Sequence, residues 1–166
     1  MNKTQIIKIA PKGNITLDLI QVDNIQYDLN CEDEDGDIFT LGVIKVYKDK
    51  LSKDSFSSQS DLDIFETFRK TKGKKRIFLD IIKVSSVFKN QGLGTYMIEE
   101  MCSRMKNNGY ESICLKAHPL VIWKYGISSN KNKSEIRKEK ELIQRFYLKN
   151  GFNFCKKGVD YMYKDL

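Results

Sequence analysis

The chain has 166 residues, of which 40% are hydrophobic, and a formal net charge of +7. This length supports one ordinary hydrophobic core, so we predict a single domain over residues 1–166. The first residues, MNKTQIIKIA, lack the apolar core of a signal peptide, and no apolar run is long enough to span a bilayer. We therefore expect a cytoplasmic protein with no membrane partner, and the positive charge favours anionic partners.

Residues that commonly bind transition metals are few and scattered. His118 is the only histidine, and the four cysteines form no C-x-x-C pair. Because zinc sites usually show short, regular ligand spacings, we predict no metal site. The cysteines are expected to be free thiols in a reducing compartment. They are Cys31, Cys102, Cys114 and Cys155.

The first 50 residues predict a β-meander. Three runs, ITLDLIQV, IQYDL and IFTLGVIKVYK, alternate apolar with polar residues, as half-buried antiparallel strands do. The acidic residues 32–37, EDEDGD, predict a hairpin turn in which Gly36 has a positive φ, with a cation site as the alternative. Residues 60–72 predict a short helix with Ser60 as its N-cap.

The strand candidate RIFLDIIKV, residues 76–84, is the most apolar in the chain and is therefore predicted to be central. A helix is predicted to follow it, with Glu100 facing Arg104 and with Gly109 as the terminating residue. Its apolar stripe has the four-residue spacing of one helix face. The stripe consists of Leu93, Met97, Ile98, Met101, Cys102 and Met105.

The remaining residues predict a strand, a helix and a hairpin. YESICLKA is typical of a buried strand. Residues 134–152 predict an amphipathic helix with Ile136, Ile143 and Phe146 on its apolar face and Gly151 at its end. The runs FNFCKK and DYMYKDL, on either side of a glycine, predict a closing hairpin.

The stretch KNQGLGT, residues 89–95, lies where the central strand should pass into a helix. A helix N-terminus presents free N–H groups and the positive end of its dipole, and Gly92 and Gly94 would let a phosphate approach them closely. Lys89 adds a cation and Thr95 a hydroxyl. Neither the Walker pattern nor the dinucleotide fingerprint is present, so the turn by itself predicts only an anion site.

The residues around this turn make the pattern more specific. VSSVFKNQGLGTYMIEEM, residues 84–101, resembles the acetyl-CoA-binding motif of the GNAT superfamily of N-acetyltransferases, in which Arg or Gln, two residues, Gly, any residue, and Gly or Ala open a helix. Lys89 stands at the Arg or Gln position. RFYLKNGF, residues 145–152, is similar to the family's Tyr-x-x-x-Gly-Phe segment. Together the resemblance covers residues 76–166.

The resemblance implies a GNAT-like α+β fold, with a mixed, mostly antiparallel twisted sheet, flanking helices and splayed central strands. It also implies acetyl-CoA as co-substrate and a primary amine, on a small molecule or a protein, as acceptor. Main-chain groups of the turn would hold the diphosphate, and the preceding strand would pair with the pantetheine arm. The cofactor residues implied are Ile82, Lys83, Val84, Lys89, Asn90, Gln91, Gly92, Leu93, Gly94 and Thr95.

For catalysis, the resemblance implies that Tyr147 is the general acid for the CoA thiolate. The alternative is a buried aromatic with no chemical role. The general base stays open between three groups. Asp80 lies in the central strand with the parity of Ile82 and Val84. His118 is a histidine, the residue type that most often transfers protons near neutral pH, and a bound water can also relay a proton.

Two other functions stay open. The first is a GNAT-like regulatory protein that binds CoA without turnover. The second is a nucleic-acid-associated module with a basic, phosphate-contacting face. No nucleic-acid recognition motif accompanies that face, which argues against nucleic acid, while a homodimer stays open because many family members dimerise. The cations of the face would be Lys131, Lys133, Arg137, Lys138, Lys140, Arg145 and Lys149.

Overall fold

The computed structural model describes residues 16–32, 36–48, 75–119 and 132–166, together with Leu62 and Glu66. The strands are β1 Thr16–Gln21, β2 Gln26–Glu32, β3 Ile38–Lys48, β4 Arg76–Val84, β5 Ser112–Lys116, β6 Asn153–Phe154 and β7 Tyr161–Asp165. The helices are α1 Leu93–Asn107 and α2 Lys133–Lys149, and a 3₁₀ turn covers Ser86–Phe88.

The strands form one mixed sheet with the order β1-β2-β3-β4-β5-β7-β6. Every neighbouring pair is antiparallel except β4 and β5, which run parallel. The predicted meander corresponds to β1, β2 and β3, the predicted central strand is β4, and the closing hairpin joins β6 to β7. The α+β fold class, with a mostly antiparallel sheet flanked by helices, is confirmed.

Helix α1 covers the middle of the sheet with its apolar stripe. All six residues predicted for that stripe are buried, and they pack in one cluster with strand residues such as Leu29, Ile44 and Ile77. Burying a large aliphatic side chain contributes about 1.5 to 3 kcal/mol, so this stripe is what fixes the helix to the sheet. The predicted pair is also present, since Arg104 Nε lies 3.0 Å from Glu100 Oε1.

The ends of both helices have identifiable causes. Gly109, with a φ of 76°, follows the end of α1, and Gly151, with a φ of 81°, follows the end of α2. The start of α2 was not predicted in detail. The Asn132 side chain accepts a hydrogen bond from the Glu135 N–H at 3.0 Å, and the Asn132 N–H donates to Glu135 Oε2 at 2.9 Å. This capping box satisfies two N–H groups that a helix start leaves open.

Several predictions fall partly or wholly outside the described residues. Of the helix predicted over residues 60–72, the structure describes Leu62 and Glu66, and both are helical. Gly36 has the predicted positive φ, at 82°, while residues 33–35 of the acidic turn lie outside the description. The basic residue Lys131 is outside it as well.

The described part of the chain also bears on metals, thiols and membranes. All four cysteines lie in the described part of the chain, and none of them forms a disulfide. No group of three or more His, Cys, Asp or Glu side chains that could hold a metal ion occurs among the described residues. No helix in the described part of the chain is long and apolar enough to cross a membrane.

Candidate active site

The central strands β4 and β5 separate along their length. Their parallel pairing extends only from Arg76 with Ser112 to Leu79 with Leu115, although β4 continues to Val84. On its other side, β4 stays paired to β3 as far as Val84, which is opposite Gly42. Within the described part of the chain, residues 81–84 therefore pair with β3 only. Their other edge presents main-chain groups to an opening between β4 and β5.

A β-bulge lies at the point where the two strands part. Lys45 of β3 is opposite Ile81, while the next residue, Val46, is opposite Leu79, so Asp80 is the extra residue of the bulge. Bulges bend a strand and increase its twist, which accounts for β4 leaving β5 here. The bulge also changes the burial pattern, because both Leu79 and Ile82 pack with the main core.

The bulge removes the premise of one prediction for Asp80. The parity that placed Asp80 on the face of Ile82 and Val84 assumed an unbroken alternation along the strand, and the extra residue breaks it. Asp80 itself is half-buried. Its position at the start of the opening does not depend on that parity.

The turn between β4 and α1 presents main-chain donors at the same end of the sheet. Lys89 is exposed, Asn90 has a φ of 63° and Gly92 a φ of 83°. The first hydrogen bond of the helical pattern runs from the Tyr96 N–H to the carbonyl of Gly92, the N-cap residue, at 3.0 Å. Among the described residues, the N–H groups of Gly92, Leu93, Gly94 and Thr95 have no main-chain acceptor. Such donors at a helix start favour an anion.

The two glycines of the turn are required for different reasons. Gly92 has a left-handed backbone conformation, and any residue with a Cβ would be strained in that conformation. Gly94 is required by packing, because a Cβ there would lie 3.2 Å from Cζ and 3.3 Å from Cε2 of Phe146. Helix α2 therefore rests directly against the turn between β4 and α1. The sequence offered no sign of this contact, since the two residues are far apart in the chain.

Tyr147 is nearly buried, at 8% exposure, between two aromatic rings. Its ring centroid lies 5.2 Å from that of Phe146 and 5.4 Å from that of Phe152, both in edge-to-face geometry. Burial raises the pKa of the Tyr147 phenol well above its ordinary value. A phenol is protonated in the neutral range even without this shift, and the raised pKa keeps it neutral further into the alkaline range.

His118 follows the end of β5 and is half-buried. Its ring Nδ1 lies 3.4 Å from the Pro119 carbonyl oxygen, and the main-chain N–H of His118 donates to the Lys116 carbonyl at 2.9 Å. The two candidate bases therefore lie on the two strands that border the opening, Asp80 in β4 and His118 just after β5.

The predicted basic face of α2 is only partly present. Lys140 Nζ lies 2.6 Å from Asp160 Oδ1, so this lysine fastens α2 to the start of β7 rather than facing outward. Arg137 pairs with Glu141 at 3.2 Å on the helix surface. Exposed cations of the predicted set that the structure describes are Lys133, Arg137, Lys138, Arg145 and Lys149.

Gly42 of β3 lies beside the opening, opposite Val84, and was not predicted to do so. A Cβ at this position would lie 2.8 Å from the Lys83 carbonyl oxygen and 2.8 Å from Met97 Sδ. Gly42 therefore lets β3, β4 and α1 approach closely beside the opening. A glycine inside the strand-like run IFTLGVIKVYK is the signal that could have found it, since glycine in a strand often marks such an approach.

Comparison with known proteins supports the fold. A scan against protein-family models finds no match, and neither does a search of curated protein sequences. A GNAT family acetyltransferase from Listeria monocytogenes 4b F2365 aligns with 83% of this chain and 63% of its own, at 21% identity and a TM-score of 0.50. The PaiA N-acetyltransferase from Thermoplasma acidophilum, in complex with coenzyme A, aligns with 86% of this chain and 62% of its own, at 16% identity and a TM-score of 0.46.

This chain thus spans less than two thirds of the length of both proteins. The similarity in structure, together with the sheet order and the parting of β4 and β5, defines the class: the protein has the fold of the GNAT N-acetyltransferases.

Proposed function

We propose that the protein transfers the acetyl group of acetyl-CoA to a primary amine on a small molecule or a protein. The observation that carries this proposal is the adjacency of two features. Residues 81–84 present an open main-chain edge, and the N–H groups of Gly92 to Thr95 point out of the helix start that follows. A ligand that combines an extended amide chain with a diphosphate matches both features, and coenzyme A is such a ligand.

In this proposal the turn residues 89–95 hold the diphosphate. The N–H groups at the start of α1 donate to its oxygens, the helix dipole favours its charge, and the exposed Lys89 ammonium adds a cation. Lysine provides a point charge rather than the planar fork of arginine, so it tolerates several phosphate positions. The amides of the pantetheine arm pair with the main chain of Ile82 and Val84, as an added strand would.

The reaction forms a C–N bond and breaks the C–S bond of the thioester. The neutral amine attacks the thioester carbonyl carbon, the amine loses a proton, and the departing thiolate accepts one. We assign Tyr147 as the donor of that second proton, because it stands at the tyrosine position of the Tyr-x-x-x-Gly-Phe segment and a phenol carries a proton at neutral pH. The aromatic contacts with Phe146 and Phe152 hold its ring in one orientation.

We assign Asp80 as the group that accepts the proton from the amine, directly or through a water. It lies at the bulge where the opening between β4 and β5 begins, so an acceptor approaching the thioester would pass it. His118, across the opening, is the alternative base.

Thermal denaturation with and without ligand tests the cofactor site. Coenzyme A should raise the unfolding midpoint, since a ligand of the native state stabilises it, while pantetheine, which lacks the diphosphate, should have a much smaller effect. Lys89→Glu should weaken binding of coenzyme A, whereas the matched control Lys157→Glu, on an exposed residue of the β6–β7 hairpin, should not. Equal binding by wild type and Lys89→Glu would remove Lys89 from the site.

Turnover is a separate measurement. Release of free CoA thiol from acetyl-CoA with a panel of primary amines, reduced in Tyr147→Phe, supports the enzyme. Binding of coenzyme A without thiol release for any amine supports the regulatory alternative. That alternative is consistent with Tyr147 being a buried aromatic and nothing more.

A further inference from the structure

Helix α2 has an outward face that the proposed reaction does not use. Two leucines are exposed there, Leu142 at 65% and Leu148 at 45%. A helix of about 3.6 residues per turn places these two leucines about 120° apart around its axis. The same geometry places Lys138, Arg145 and Lys149 between them, with Glu141 also between them close to Leu148, and all four side chains are exposed. The face is thus a basic stripe with an apolar residue on each border, and we call it the outer face of α2.

The charge of this face is not neutralised within the described part of the chain. The one carboxylate of the stripe, Glu141, pairs with Arg137 at 3.2 Å, and Lys140 pairs with Asp160 on the side of the sheet. Neither pair includes the three cations of the stripe. The face therefore attracts an anionic partner, while its leucines gain from apolar contact.

We propose that the outer face of α2 binds an acidic amphipathic helix of a partner protein. Such a helix carries carboxylates along a central stripe with apolar side chains on both borders, which complements the cations and the two leucines together. The same face of a second copy does not fit, because two basic stripes repel each other. Nucleic acid phosphates would match the cations but offer no apolar surface to Leu142 and Leu148. The proposal does not depend on acetyl transfer.

The test measures binding of a fluorescent synthetic peptide by anisotropy, using the full chain. The peptide is a helix with a glutamate stripe bordered by leucines, and its control has the same composition in scrambled order. We expect the patterned peptide to bind at least about tenfold more tightly than the scrambled one, since the leucines must meet apolar partners. Equal binding of both peptides would overturn the proposal, because it would show attraction by charge alone.

Two double variants separate the apolar contacts of the leucines from the charge contacts of the cations. Leu142→Ser/Leu148→Ser and Lys138→Glu/Arg145→Glu should each weaken binding of the patterned peptide by about tenfold or more. Matched controls are Ile38→Ser, on an apolar residue of β3 that is 64% exposed, and Lys157→Glu, and neither should change the affinity. If a labelled DNA duplex binds instead, with strong salt dependence and no effect of the leucine substitutions, the face contacts phosphates and the proposal is wrong.

Discussion

The ring of Phe146 fills the space that a side chain at residue 94 would need. Its Cζ atom lies 3.2 Å from the position of a Cβ on Gly94, and Val84 Cγ2 lies 3.9 Å from the same position. Gly94 is thus in contact with the end of β4 on one side and with α2 on the other. Any change at residue 94 must alter either the turn that is proposed to hold the diphosphate or the helix that carries Tyr147.

Substitution Gly94→Ala should destabilise the protein. Alanine is favoured over glycine inside a helix by about 0.5 to 1 kcal/mol, but overpacking against a fixed ring costs about 1 to 3 kcal/mol, so the clash should win. Denaturant unfolding should show a net loss of about 1 kcal/mol, together with weaker binding of coenzyme A. The double variant Gly94→Ala/Phe146→Leu, which shortens the opposing side chain, should lose less than the sum of the two single variants. Strict additivity would mean that the two residues do not interact.

Alanine substitutions at Gly92 and Gly158 can separate the effect of backbone strain on stability from the effect on coenzyme A binding. Both glycines have a φ of 83°. An alanine at either position should cost about 1 to 2 kcal/mol of stability, because both must keep a left-handed conformation. Only Gly92 lies in the turn, so Gly92→Ala should also weaken coenzyme A binding in calorimetric titration, while Gly158→Ala should bind as wild type does. An equal loss of affinity in both variants would mean that instability alone is responsible.

The atoms around Gly42 determine how much stability a side chain at this position would cost. A Cβ there would lie 2.8 Å from the Lys83 carbonyl oxygen, which belongs to the backbone and cannot rotate away, and 2.8 Å from the flexible end of Met97. Gly42→Ala should therefore cost about 2 to 3 kcal/mol in denaturant unfolding. Adding Met97→Ala should not restore stability, since the carbonyl contact persists. Rescue by the second substitution would show that the methionine, not the strand, sets the close approach.

Local sequence patterns were sufficient to predict the helices and strands of this fold. Contacts between residues distant in the sequence could not be predicted from such patterns. The α1 stripe and the strands follow from spacing alone, because each element repeats its own period. The bulge at Asp80 is different. The stretch FLDII contains apolar residues on both sides of the aspartate, so its sequence does not show where the alternation shifts.

The same distinction applies to the site. The glycines of the turn could be located from the sequence, but the contact of Phe146 with Gly94 joins residues of two different helices. Similarly, Lys140 belongs to a run of cations and was predicted to be part of a basic face. Its partner Asp160 comes from the closing hairpin region, and only the packing of α2 on the sheet brings the two together.

The two candidate bases can be told apart by their variants. If Asp80 accepts the proton from the amine, Asp80→Asn should reduce kcat/KM by about 10² to 10⁴, the usual contribution of a general base, while His118→Gln should stay near wild type. Binding of coenzyme A should be retained in both variants, which serves as the control for folding. The reverse order of effects would assign the role to His118, and near-normal rates in both would favour a water relay.

Ionisation of the Tyr147 phenol should make the free energy of unfolding depend on pH. Burial raises its pKa in the folded protein above the ordinary value of about 10 that it regains on unfolding. Between those two values the native state keeps a proton that the unfolded state has released, so the free energy of unfolding should fall as pH rises above about 10, by up to about 1.4 kcal/mol per pH unit. Below the unfolded pKa this contribution is fully present.

Tyr147→Phe lacks the titrating group and keeps the ring between Phe146 and Phe152. Its stability should therefore decline less steeply than that of wild type at alkaline pH, which denaturant unfolding of both proteins at several pH values would measure. Tyr27 and Tyr96 also have raised pKa values owing to burial, so the difference between the two proteins, rather than the wild-type curve, isolates Tyr147. Parallel stability curves for wild type and variant would show that the Tyr147 phenol ionises as it does in the unfolded chain, and that burial does not raise its pKa.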